Sequence, residues 1–155
     1  MHRTLRSFGV LIACGAFCAC VYAQDDKPDL TGKWQLDPAK SDMQVNKLSD
    51  MMLVIAEKDG KINITQDEKL PDGKERKLTY NCPTNGVDCT VPETGAKASF
   101  WYNGPMLVNM ETEKKGGSVI RERMKLSPDS KQLTVEISSL VPASDKVDKF
   151  VLQKQ

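Results

Sequence analysis

Few residues in this chain of 155 can do chemistry by themselves. It has one histidine, His2, and five cysteines, of which Cys14, Cys18 and Cys20 stand near the start beside it. Only Cys82 and Cys89 lie further along. A Ser-His-Asp triad or a Cys-His pair needs an imidazole within reach of the nucleophile. A structural zinc site needs four nitrogen or sulfur ligands. Neither constellation can be assembled downstream of Cys20. No GxGxxG or GxxxxGK[ST] phosphate loop occurs. The 21 acidic residues can supply a carboxylate pair, yet no spacing singles one out. The expectation is a binding protein with no catalytic residue, cofactor or metal. With 22 basic against 21 acidic residues there is no basic footprint for nucleic acid.

The reactive residues at the start belong to a segment with its own logic. Arg3 and Arg6 precede an apolar run, Ser7 to Ala23, that ends Val-Tyr-Ala. A basic start, an apolar middle and a small-residue end are the layout of a secretory signal peptide, here cut after Ala23. A retained membrane anchor and a lipoprotein cut before Cys14, within Leu-Ile-Ala-Cys, are the alternatives. Cleavage leaves residues 24–155 as one domain, exported to the periplasm or medium, with no membrane span and no histidine.

In an exported protein Cys82 and Cys89 are expected to form a disulfide around the turn-rich Pro-Thr-Asn-Gly-Val-Asp. The spacing is not Cys-x-x-Cys, which argues against a redox dithiol. Asn63-Ile64-Thr65 fits a glycosylation sequon but falls in an expected strand.

The elements that must position these residues read almost entirely as strands. Short β-rich runs cover 31–37, 50–57, 61–66, 75–82, 96–102, 106–113, 118–126, 132–140 and 146–153. Turn signals separate them, among them Asp59-Gly60, Pro71-Asp72-Gly73, Asn103-Gly104, Gly116-Gly117 and Pro128-Asp129. Tight turns join antiparallel neighbours. An all-β, up-and-down antiparallel barrel of eight or nine strands follows, because closure removes exposed edges. An open sandwich is the runner-up. Residues 38–49 lack strand character and read as a loop or short helix capping one end.

Alternation gives the candidate ligand-binding residues. Leu78, Tyr80 and Cys82 share one face of their strand. Phe100 and Tyr102 share a face that Trp101 opposes, leaving Trp101 for the surface or the mouth. Met106, Val108 and Met110 on one strand, and Ile120, Met124 and Leu126 on the next, are assigned inward. Methionine suits an adaptable binding surface. The candidate site is therefore Tyr80, Phe100, Trp101, Tyr102, Met106, Val108, Met110 and Met124.

Gly32-Lys33-Trp34 opens the first strand as a G-x-W. It resembles the hallmark of the lipocalin and calycin superfamily, small antiparallel barrels. The longer opening from Gly32 to Ser41 looks like that of secreted lipocalin-like proteins of soil bacteria. The resemblance implies that Trp34 closes the barrel floor and that a basic residue of the last strand packs over it. Lys146, Lys149 and Lys154 are available, and Lys149 is assigned the place. It also implies a cup for a small, mostly apolar molecule. Such a barrel is either filled with side chains or just wide enough for one ligand. The alternatives are a filled, protein-binding module, an inhibitor or envelope factor displaying the Cys82–Cys89 loop, and a carboxylate enzyme. Two buried carboxylates in one cleft would favour the enzyme.

Overall fold

The computed structural model describes residues 27–155; the expected signal peptide, 1–23, lies outside them. Ten strands follow one another: β1 (Gly32–Leu36), β2 (Asp50–Lys58), β3 (Lys61–Lys69), β4 (Glu75–Pro83), β5 (Asn85–Thr90), β6 (Lys97–Asn103), β7 (Met106–Thr112), β8 (Val119–Leu126), β9 (Gln132–Val141) and β10 (Ala143–Lys154). Their order in the sheet is β4-β3-β2-β1-β10-β9-β8-β7-β6-β5, antiparallel throughout. The all-β, up-and-down antiparallel barrel is as expected. The count rises to ten because the residues between the cysteines, taken for a turn, form β5 against β6.

Local chemistry fixes the register. Asp59 and Gly60 both hold positive φ, 52° and 71°. This is the requirement of a two-residue hairpin turn matched to strand twist. It pairs Lys58 with Lys61 and so brings Ile55 level with Ile64. Each strand then sends alternate side chains inward.

The sheet closes where β4 meets β5, its two end strands, and no ladder joins them there. Side chains make the closure instead. The Cys82–Cys89 disulfide, as expected, spans the seam with Cα atoms 5.4 Å apart. Tyr80 packs edge-on against Phe100 of β6 at 5.6 Å. Glu93 accepts the backbone N–H of Thr79 at 3.1 Å.

The floor lies at the end where β1 begins. Trp34 is fully buried, and its Nε1 donates to the Leu30 carbonyl at 2.9 Å. The basic partner is Lys154, with Nζ 5.2 Å from the indole centroid, and not Lys149. Register decides this, for Trp34 pairs with Lys154. Lys149 instead sits opposite Glu136 in the outer-face row. Gly32 holds φ 147°, and a Cβ there would stand 3.1 Å from Lys154 Cε. Glycine is required by the conformation, which L side chains rarely adopt, while the contact falls on the movable end of the Lys154 side chain.

Candidate functional site

Followed upward from the floor, the inner face changes character on strand after strand. On β3 it runs Ile62, Ile64, Gln66, Glu68; on β7 it runs Leu107, Asn109, Glu111; on β8, read from its end backwards, Met124 gives way to Glu122. Leu133 and Val135 of β9, with Phe150 and Leu152 of β10, complete the apolar half. The barrel is therefore filled at one end. At the other it holds a cavity of about 520 Å³, within the usual range for small-molecule sites.

The cavity wall is part apolar and part charged. Leu48, Leu78, Tyr80, Ala96, Ile120, Ile137 and Phe150 supply the apolar surface. Gln66, Glu68, Arg76, Glu111 and Glu122 supply the polar one, and Glu113, Lys114 and Lys115 stand in the adjoining turn. Glu68 is spoken for. Arg76 of the neighbouring strand donates to its Oε2 through Nε at 2.6 Å and Nη2 at 2.5 Å, and Gln66 donates to Oε1 at 2.5 Å. Two donors from one guanidinium make a geometrically specific, charge-assisted pair.

Glu111 and Glu122 make no ion pair among the described residues. Tyr80 donates its hydroxyl to Glu111 Oε2 at 3.0 Å. Asn109 donates Nδ2 to Glu122 Oε2 at 3.1 Å. Burial raises the Glu122 carboxyl to about 7, against the Asn109 hydrogen bond and with the charges of Glu111 and Glu68 adding to the rise. Burial also pushes Glu111 up, opposed by Tyr80 and Arg76. Tyr80 itself is driven upward by burial and then by the charges of Glu122 and Glu111, so it remains a phenol and a donor.

Residues 43–48 cross the cavity end. Asp148, 1% exposed, accepts the backbone N–H groups of Val45 and Asn46 at 2.7 and 2.9 Å and Asn46 Nδ2 at 2.7 Å. That anchor lets Met43 and Leu48 pack on the core and places Asn46 at the cavity edge. The segment expected as a loop or short helix is a strap without helix.

The sequence-derived site splits in two. Tyr80 lines the cavity, while Phe100 and Met124 are buried in the filled half. Tyr102 is also inward, but at the floor, where its hydroxyl donates to Glu57 at 2.6 Å. Trp101, Met106, Val108 and Met110 share the outer face. Trp101 pairs with Val108, Val108 with Arg123, and Arg123 with Glu136. Val108 is sheltered between those long neighbours rather than in the core. The inward assignment of the β7 methionines is thus corrected, since Leu107, Asn109 and Glu111 occupy the inside. Gln66, Glu68, Arg76, Asn109, Glu111 and Glu122 were not anticipated. Their signal was parity: Glu68 continues the phase of Ile62 and Ile64, and Glu122 lies between inward Ile120 and Met124.

No helix among the described residues is long and apolar enough to cross a membrane. No protein-family model matches the chain, and no curated protein matches its sequence. Solved structures share the fold. A mutant of the fluorescent protein UnaG superposes with a TM-score of 0.57 at 14% identity, covering 81% of this chain and 96% of that one. A secretory abundant heat soluble protein from Ramazzottius varieornatus gives 0.55 at 13% identity, covering 81% and 95%.

Proposed function

We propose that this chain is an extracytoplasmic, lipocalin-like barrel that binds one small, mostly apolar molecule in the cavity above the Trp34 floor. The carrying observation is the division of the interior. One half is packed solid, and the other keeps about 520 Å³ open behind a strap pinned by Asp148. A barrel that served only as a scaffold would gain stability by filling that space. Export rests on the signal-like residues 1–23 and is supported by the Cys82–Cys89 disulfide, which persists in oxidising compartments. The mature domain is 24–155.

Native mass spectrometry of protein purified from its own source tests the reading. A co-purifying small molecule at one per chain is expected. Fully empty protein that also refuses apolar probes would overturn it in favour of a protein-binding module.

A second reading, acid–base catalysis, is favoured by the two carboxylates in one cavity, with Glu122 raised to about 7. It predicts that the co-purified molecule is converted on incubation to a product that chromatography separates from it, and that Glu122→Gln stops the conversion. Binding alone predicts that the molecule is released unaltered.

A further inference from the structure

We infer that the ligand carries a protonated amine on an apolar body, and that Glu122 and Glu111 receive it. This deepens the binding reading above and rests on it.

The cavity confines charge that is not matched within it. Three carboxylates reach the cavity from three strands: Glu68 from β3, Glu111 from β7 and Glu122 from β8. One inward cation, Arg76 of β4, faces them, and it is committed to Glu68. Lys114 and Lys115 belong to the turn at the mouth and pair with none of the three. Glu111 and Glu122 are left with one neutral donor each, the Tyr80 hydroxyl and the Asn109 amide. On β9 and β10 the cavity wall is Ile137 and Phe150, which offer nothing to a carboxylate.

A separate observation points the same way. Glu122 is 5% exposed and lines the cavity. Its Oε2 takes the Asn109 amide, and its Oε1 accepts no hydrogen bond from the described residues. Buried acceptors are normally satisfied. Here Glu122 keeps one oxygen open to the cavity, and no cation among the described residues pairs with Glu122 or Glu111. An ammonium brings three donors and one positive charge, supplying what the site lacks. A carboxylate ligand would add a third uncompensated anion. A neutral alcohol would bring one donor and no charge.

Protonation follows from the pairing. Glu122 holds its proton up to about pH 7 in the empty barrel. An entering ammonium favours the carboxylate, so binding expels that proton, and affinity falls as pH drops below 7. Glu111 and Glu68 oppose the carboxylate form of Glu122, while Asn109 and Arg76 favour it.

Octylamine, octanol and octanoate share one chain and differ in the head group, so calorimetric titration of the whole protein with each is the test. At pH 8 octylamine should bind about tenfold tighter than octanol, the ratio expected for one charge-assisted hydrogen bond. Octanoate should bind weakest. At pH 7, titration in two buffers of different ionisation heat should show roughly half a proton released per octylamine. Glu122→Gln should erase both the preference and the release, with octanol binding retained as the sign of an intact barrel. Should that variant fail to fold, the three-way comparison and the proton release in the unaltered protein decide alone. Equal affinity for octylamine and octanol, or tighter binding of octanoate, overturns this inference and leaves the apolar carrier standing. Failure of all three to bind overturns both.

Discussion

Replacing Glu122 with Gln should stabilise the protein above pH 7 and change its pH response more than its structure. The buried carboxyl titrates at about 7 in the fold, against an ordinary 4.5. Between those values the folded chain holds a proton that the unfolded chain has released. Stability therefore falls as pH rises through this window, and it is flat below and above it. Each pH unit in the interval carries about 1.4 kcal/mol, so the whole costs about 3 kcal/mol by pH 8. Gln keeps a carbonyl for Asn109 Nδ2 and has no proton to lose. The difference in unfolding free energy between the two proteins should then grow by about 3 kcal/mol from pH 4.5 to pH 8. Any constant cost of the substitution cancels in that slope. The rise of Glu111 acts in the same direction, but in both proteins. Asp29, Asp72, Glu93 and Asp129 are lowered by their hydrogen bonds, so their contributions vary only at more acid pH. Urea unfolding followed by circular dichroism across that range is the assay. A difference that does not change with pH would show that Glu122 is solvated, and the account of a desolvated acidic cavity would fail.

Three further outcomes are expected. Trp34→Ala should cost about 3–5 kcal/mol in urea unfolding, the range for deleting a buried aromatic; Trp101→Ala, on the outer face, should cost about 1 kcal/mol or less. Equal effects of the two would contradict the placement of the floor. The double change Cys82→Ser, Cys89→Ser should cost about 2.5 kcal/mol by loop entropy and raise hydrogen exchange along β4 and β5, since no ladder supports that seam. Protein from its own source should begin at Gln24 and gain the mass of two hydrogens on reduction; two free thiols before reduction would refute the pairing.

The architecture was legible because turn chemistry and alternation agreed. Asp59-Gly60 announced a hairpin, and Ile62 and Ile64 announced its inner face. Gly32 and Trp34 marked the floor, although spacing alone could not choose among Lys146, Lys149 and Lys154; only the β1–β10 register does. β5 was hidden because Asn85-Gly86 reads as a turn. The candidate site was the less legible part, for a physical reason. Inward was equated with apolar, which holds where the barrel is filled and fails where it is hollow. On β7 that rule put Met106, Val108 and Met110 inside, whereas Leu107, Asn109 and Glu111 point inward and Glu111 lines the cavity. Rim-to-floor polarity emerges only when ten strands are aligned.

Whether the open half of the barrel holds a ligand is decided by titration with the neutral naphthalene dye Prodan, before and after the single change Ile137→Trp. Ile137 lines the cavity beside Glu122, its register partner on β8, so an indole there fills the space without touching the floor. Saturable binding of one dye per barrel, lost in Ile137→Trp while the circular dichroism spectrum is retained, is the predicted result. No binding to the unaltered protein, or binding that Ile137→Trp leaves unchanged, would contradict a ligand-holding cavity.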